Sequence, residues 1–300
     1  MKFIVLADIH FREEAPECRL ESTNAEWLAT FSAKMRFVTE LARKQKVSGI
    51  FVAGDLFHSW RTNRDEFIVW VIKQLNHWRS VCPVYTIPGN HDSMGGKEEE
   101  LYRTPYQMLA EAGVIHDLPS KPLKQVACYL YTKEDRLESH CKIVMAHKML
   151  WHNSAPFPGA PETGNIEWFV RNRLNPECRL LISGDNHKPF LVEVDDCTVI
   201  NCGSFSRQEA SQIDYKPAVW VVEMDDTGCV VTPHYLPLAL EISRSHIDNM
   251  QERVEMLDGA VAEIDNNFEV TLNFKENYRN MAKDHADYKK LMLKFEECNK

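Results

Sequence analysis

The chain has 300 residues and a mass of 34.8 kDa; at 44% hydrophobic and 26% charged it is not wholesale disordered, and it has room for one large domain plus an appendage, or for two modest domains. Its net charge is −9, from 35 Lys and Arg against 44 Asp and Glu, so bulk charge makes no case for nucleic acid and a DNA-binding face has to be a local patch. Nine cysteines without a Cys-x-x-Cys pair argue against a disulfide framework or a thiolate zinc site, and with no apolar run near the roughly 18 residues of a membrane span the chain reads as cytoplasmic.

Aliphatic and β-branched runs predict strands at Phe3–Ala7, Gly49–Ala53, Val84–Ile87, Ala127–Tyr131, Lys142–Ala146 and Leu180–Ser183. Thr23-x-x-Glu26 is a capping-box pattern, and it opens a helix whose Trp27, Phe31, Val38 and Leu41 keep to one side. Further helices are predicted from about Asp65 to Trp78, Glu98 to Ala112 and Ile166 to Leu174. Thr198–Asn201, Ala218–Glu223 and Cys229–Thr232 follow in close succession and read as a meander. Strand–helix alternation followed by a run of strands predicts a layered α/β architecture, a β-sandwich flanked by helices.

Composition shifts near residue 240, after Pro233 and Pro237. Ile247, Met250, Val254, Leu257, Val261 and Ile264 repeat at helical 3-4 spacing, and Phe268, Val270, Leu272 and Phe274 alternate as a half-buried strand. A second seam runs through Tyr278, Met281, His285, Tyr288, Met292 and Phe295. The predicted organisation is a body over 1–240, a small α/β region over 241–275 and an amphipathic helical tail over 276–300, together an α-β-α appendage. Two fates stay open for the seams: packing on the protein's own body, or docking of the tail in a partner's groove.

Five motifs each sit just past an apolar run: Asp8-x-His10, Gly54-Asp55-x-x-His58, Gly89-Asn90-His91-Asp92, His147 after Ile143–Ala146, and Gly184-Asp185-x-His187. Ligand groups gather at the carboxyl ends of strands in open α/β sheets. Residues at i and i+2 on extended backbone point the same way, which predicts that Asp8 with His10, and Asp185 with His187, face a shared point. The glycines allow sharp turns after the strands. Carboxylates, imidazoles and one carboxamide form a mixed oxygen and nitrogen set suited to Mn²⁺, Fe²⁺ or Zn²⁺ rather than calcium. They are too many for one ion and suit two, about 3.5–4 Å apart, bridged by a carboxylate. His152 competes with His147, which is preferred because it directly ends its apolar run. The Pro- and Gly-rich stretch from Trp151 to Asn165 either stacks Trp151 or Phe157 on an unpaired base or packs as a surface loop.

The motifs, in this order, resemble the calcineurin-like metallophosphoesterase superfamily. The spelling Gly54-Asp55-Leu56-Phe57-His58 and the later Gly203-Ser204 are similar to the SbcD-type nuclease subunits of double-strand-break repair complexes, over about residues 1–235. The appendage is similar to that family's capping domain by pattern and position.

The resemblance implies that Asp8, His10 and His187 hold a first metal, Asp55 bridges, and Asn90, His147 and Asp185 hold a second. It makes His91 the general acid or a phosphate-contacting residue, its ring oriented by Asp92 or another acid, and has His58 stabilise charge on the phosphate. The family has His where this chain has Asp185, an added negative charge that favours hard ions, with Mn²⁺ preferred and Mg²⁺ or Fe²⁺ as alternatives. The function implied is two-metal hydrolysis of DNA in repair or recombination, as an exonuclease or endonuclease. The implied assembly is a homodimer working with an SbcC-type ATPase that binds the C-terminal helix. Two other readings stay open: a phosphoesterase acting on a small phosphodiester or phosphoprotein, and a scaffold of the same fold with weakened catalysis.

Overall fold

Strand β1 (Lys2–Leu6) sends Phe3 and Val5 into one apolar cluster and Ile4 and Leu6 into another. A strand buried on both faces needs a layer on each side. The computed structural model describes residues 1–19, 23–61, 64–129, 137, 140–155, 159–225, 228–237 and 242. The chain divides into Met1–Ser243 and Arg244–Lys300, and the predicted appendage, Ile242 apart, lies outside the described residues, as does Phe157.

Helix α1 (Asn24–Gln45) opens with the expected capping box: Glu26 N–H donates to Thr23 Oγ1 at 3.2 Å and Thr23 N–H donates to Glu26 Oε2 at 3.0 Å. Such a cap contributes about 0.5–2 kcal/mol. Next come β2 (Ile50–Ala53), α2 (Asp65–Arg79) and β3 (Val84–Ile87). The helix expected over 98–112 is broken. A 3₁₀ stretch, Glu98–Arg103, stops at Thr104 (φ −115°, ψ 160°), and α3 (Pro105–Glu111) starts afresh. Pro105 has no N–H to continue the first helix, and its ring pushes Thr104 to extended backbone.

The later elements are β4 (His116–Asp117), β5 (Val126–Tyr129), β6 (Ile143–His147), α4 (Ile166–Arg173), β7 (Leu180–Gly184), β8 (Phe190–Val194), β9 (Cys197–Asn201), β10 (Ala218–Met224) and β11 (Cys229–Tyr235). Among the described residues they form two sheets, in the orders β11-β10-β1-β2-β3-β4 and β5-β6-β7-β9-β8. The meander is therefore a misreading. β9 lies parallel to β7 in the second sheet, while β10 and β11 form an antiparallel pair on β1 in the first.

Phe3, Phe51, Met145, Ile182, Ile200 and Trp220 fill the space between the sheets. Outside the first sheet, α1 and α2 bury Phe31, Val38, Val71 and Trp78. Outside the second, α4 buries Ile166 and Phe169. The result is the predicted mixed α/β architecture, two sheets flanked by helices. The eight cysteines among the described residues are free, and no described helix is long and apolar enough to cross a membrane.

Candidate metal centre

The motif loops leave β1, β2, β3, β6 and β7 and meet at one end of the sandwich. Their backbone is not extended as expected: φ is 49° at Asp8, 50° at His10, 49° at Asp55 and 78° at Asp185. Left-handed turns, not strand alternation, aim these side chains. Asp and His tolerate such φ better than most residues, though each such position costs of order 1–3 kcal/mol. Backbone pairing holds the strained loops together: Asp8 N–H donates to Gly54 O at 3.2 Å, His10 N–H to Asp55 O at 3.0 Å and His58 N–H to Phe11 O at 3.0 Å. Gly54 has φ 89°, whereas Gly89 is needed for close approach, since a Cβ there would lie 2.0 Å from Asp55 Oδ1.

Asp55 stands in the middle, with Oδ2 3.5 Å from His10 Nε2 and Oδ1 3.3 Å from His147 Nε2. Asp8, His10 and His187 bring one ligand atom each within 4.8 Å of one another, and so do Asp8, Asp55 and His147. Asn90 Oδ1 is 2.9 Å from His147 Nε2, and Asp185 Oδ1 is 3.9 Å from it. The Asp185 backbone N–H donates to the Asp8 carboxylate at 3.1 and 3.2 Å. The structure thus brings all seven expected ligands together. His152 is elsewhere, its Nδ1 3.3 Å from Glu167.

His147 Nδ1 donates to the Ala53 carbonyl at 2.9 Å, which leaves the Nε2 lone pair aimed at oxygens of Asp55 and Asn90. In the neutral ring, acceptor faces acceptor, an arrangement that needs a cation or a proton. Burial alone would lower the His147 pKa; Asp55 in contact reverses this and pushes it up to about 10. Burial also works against ionised Asp55, but His147 prevails and holds its carboxyl below the usual range. Burial raises the Asp8 carboxyl and lowers the His10 and His187 imidazoles. A set of carboxylates, imidazoles and a carboxamide, with one nitrogen lone pair already tautomerically fixed, fits two divalent ions sharing Asp55.

His91 Nδ1 donates to the His58 carbonyl at 2.7 Å, and its backbone N–H donates to Asp55 Oδ1 at 3.0 Å. Asp92 does not orient that ring, contrary to expectation. Its carboxylate is fully buried and accepts from the N–H groups of Phe57 (2.8 Å), Leu56 (3.1 Å) and Gly89 (3.0 Å). Asp92 joins two loops and touches no reacting position. His10, His58 and His91 each place a ring nitrogen within 4.8 Å of the others. Burial and the nearby Arg12 hold His58 down to about 4, so at neutral pH it faces the site as an uncharged N–H donor rather than a cation.

Trp151 does not offer its ring to a base. It is 6% exposed, and a Cβ on Gly164 would lie 1.9 Å from its Cζ3, so one edge of the ring packs against the glycine. Met149, 37% exposed, instead lines the cleft of about 500 Å³ together with Asp55, His91, Asp185, His187 and Tyr215. Met149 and Tyr215 were not legible as site residues. Only the position of Met149, two residues past His147, pointed to it.

The family model for calcineurin-like phosphoesterases matches residues 1–189. No curated protein matches the chain. Among solved structures, the chain is similar to a dimetal phosphatase from Danio rerio at 11% identity and a TM-score of 0.49, covering 81% of this chain and 98% of that one. It is similar to Vps29 of Entamoeba histolytica complexed with zinc at 13% identity and a TM-score of 0.40, covering 81% and 97%. An archaeal phosphodiesterase is similar at 13% identity and a TM-score of 0.38, covering 78% and 100%.

Proposed function

The chain belongs to the calcineurin-like phosphoesterase family, and on that premise we propose that it is a two-metal phosphodiesterase acting on DNA. The observation that carries the two-metal reading is Asp55, one oxygen turned to His10 and the other to His147. Two divalent ions held there would supply Lewis-acid charge to phosphate oxygens and would lower the pKa of a bound water. Asp8, His10 and His187 would hold one ion, Asn90, His147 and Asp185 the other, with Asp55 shared. His91 lines the cleft with its Nδ1–H donated to the His58 carbonyl, so it is the doubly protonated ring that carries a proton on Nε2 to hand to the leaving oxygen, and the transfer leaves the neutral Nδ1–H imidazole. Proton transfer of this kind is typically worth about 10²–10⁴-fold. Neutral His58 would donate its N–H to a phosphate oxygen.

The likeness of Gly54–His58 and Gly203-Ser204 to SbcD-type nucleases supports DNA as the substrate, an SbcC-type ATPase as partner and Mn²⁺ as the metal, in the cytoplasm. A second copy of this chain is proposed to cover the face where Val69 and Met108 are 48% and 53% exposed. The second reading, a small phosphodiester, is favoured by one observation: Trp151 is buried, so its ring is not open to an unpaired base. Incubating the Mn²⁺-loaded protein with blunt and nicked duplex, and separately with bis(p-nitrophenyl) phosphate, decides between them. Chelator-sensitive DNA cleavage is expected; turnover of the small diester alone would favour the second reading.

A further inference from the structure

Strand β9 ends in Asn201, whose side chain is fully buried although it belongs to none of the five motifs. Its carboxamide uses both N–H groups on one loop. Nδ2 donates to the Asn186 carbonyl at 2.6 Å and to the Lys188 carbonyl at 2.8 Å, the two peptide oxygens on either side of His187. The carboxamide is itself held, because Ser183 Oγ donates to Asn201 Oδ1 at 3.1 Å. The carbonyl of His187 accepts from Ser204 N–H at 3.3 Å, and Phe205 N–H donates to the Asp8 carbonyl at 3.1 Å. Asn186 ties the loop onward, donating through Nδ2 to the Leu150 carbonyl at 2.7 Å, just past His147. The segment from Asn201 to Phe205 therefore spans from the His187 loop to the Asp8 loop.

Few side chains can occupy this place. It calls for two donors and one acceptor in a plane, which is the inventory of a carboxamide. An aspartate would turn a carboxylate oxygen against two carbonyls, and an apolar residue would leave both carbonyls without the donor. We propose that Asn201 is a positioning residue of the metal centre, setting the place of His187 and Asp185 through the peptide oxygens of Asn186 and Lys188. The proposal rests on the reading of this cluster as a metal site. Partners outside the ligand shell that orient a metal-binding residue typically change metal affinity by about 10–100-fold when removed.

The test measures Mn²⁺ binding directly, by titration calorimetry and equilibrium dialysis at a temperature where circular dichroism shows each protein folded. Asn201→Ala is expected to bind Mn²⁺ about 10–100-fold more weakly than wild type, and Asn201→Asp to differ from Ala by its added charge. Ser183→Ala, which keeps both donors but frees the carboxamide to turn, is expected to lose several-fold and serves if Asn201→Ala does not fold. A merely structural residue would lower the melting temperature and leave Mn²⁺ affinity and stoichiometry alone. Folded Asn201→Ala, or Ser183→Ala in its place, binding Mn²⁺ within twofold of wild type would overturn the proposal. Wild type that binds no Mn²⁺ would overturn the metal reading beneath it, a different result seen in a different protein.

Discussion

His10 Nε2 and His187 Nε2 lie 3.2 Å apart although 177 positions separate them in the chain, one in a loop of the first sheet and the other in a loop of the second. Two imidazole nitrogens that close share either a proton or a metal. With Asp55 reaching from this pair to His147, active protein is expected to carry two divalent ions per chain by elemental analysis. Asp55→Ala should lose bound metal and lower turnover by about 10²–10³-fold or more. One ion in fully active protein would end the two-metal reading.

The proton that stands in for a metal on His147 gives a pH signature. Its pKa in the folded, metal-free protein is about 10, above the ordinary 6.5, so the stability it contributes is complete below about pH 6.5 and is lost as pH rises through 10. Chelator-treated protein should therefore melt at progressively lower temperature from pH 7 to 10. Mn²⁺ binding at pH 7 should expel that proton, so the calorimetric heat should change with the ionisation enthalpy of the buffer. Heats identical in phosphate and Tris would count against it.

His91→Asn should keep the metal content of wild type while kcat falls about 10²–10⁴-fold, because its ring is placed for proton transfer. Metal loss equal to that of His147→Ala would assign His91 to ligation instead.

Asp92→Asn tests the opposite division. Its carboxylate collects three buried backbone N–H groups, and the amide can accept from some of them only by turning its own N–H groups against the rest. A stability loss of about 1–3 kcal/mol is expected in urea unfolding, with kcat of the folded protein within a few-fold of wild type. A large kcat loss at unchanged stability would return Asp92 to the chemistry.

The residues that converge were legible because each motif is local: a polar group directly after an apolar run, at a strand end. What joins one motif to another was not. The left-handed backbone at Asp8, His10 and Asp55 comes from pairing between two loops some 45 residues apart, such as His10 with Asp55. Asp92 follows His91 in sequence, yet it turns to the loop after β2, and no spacing rule announces that. Asn201 has the same local signature as the motifs, a polar residue ending Val199-Ile200, but its partners are known only once β9 lies beside β7. β8 escaped notice because it is a half-exposed edge, with Leu191 open to solvent.

Asp8, His10, Asp55 and Asn90 leave strands of one sheet, and His147, Asp185 and His187 leave strands of the other. Ions held by both sets would rivet the two layers at one end. Metal occupancy and the cohesion of the sandwich then become one equilibrium: at a free ion concentration of a hundred times Kd, binding adds about 2.7 kcal/mol to stability. Starving the protein of metal would fray it from the riveted end, so loss of activity and exposure of the motif loops to proteases should set in together, ahead of global unfolding.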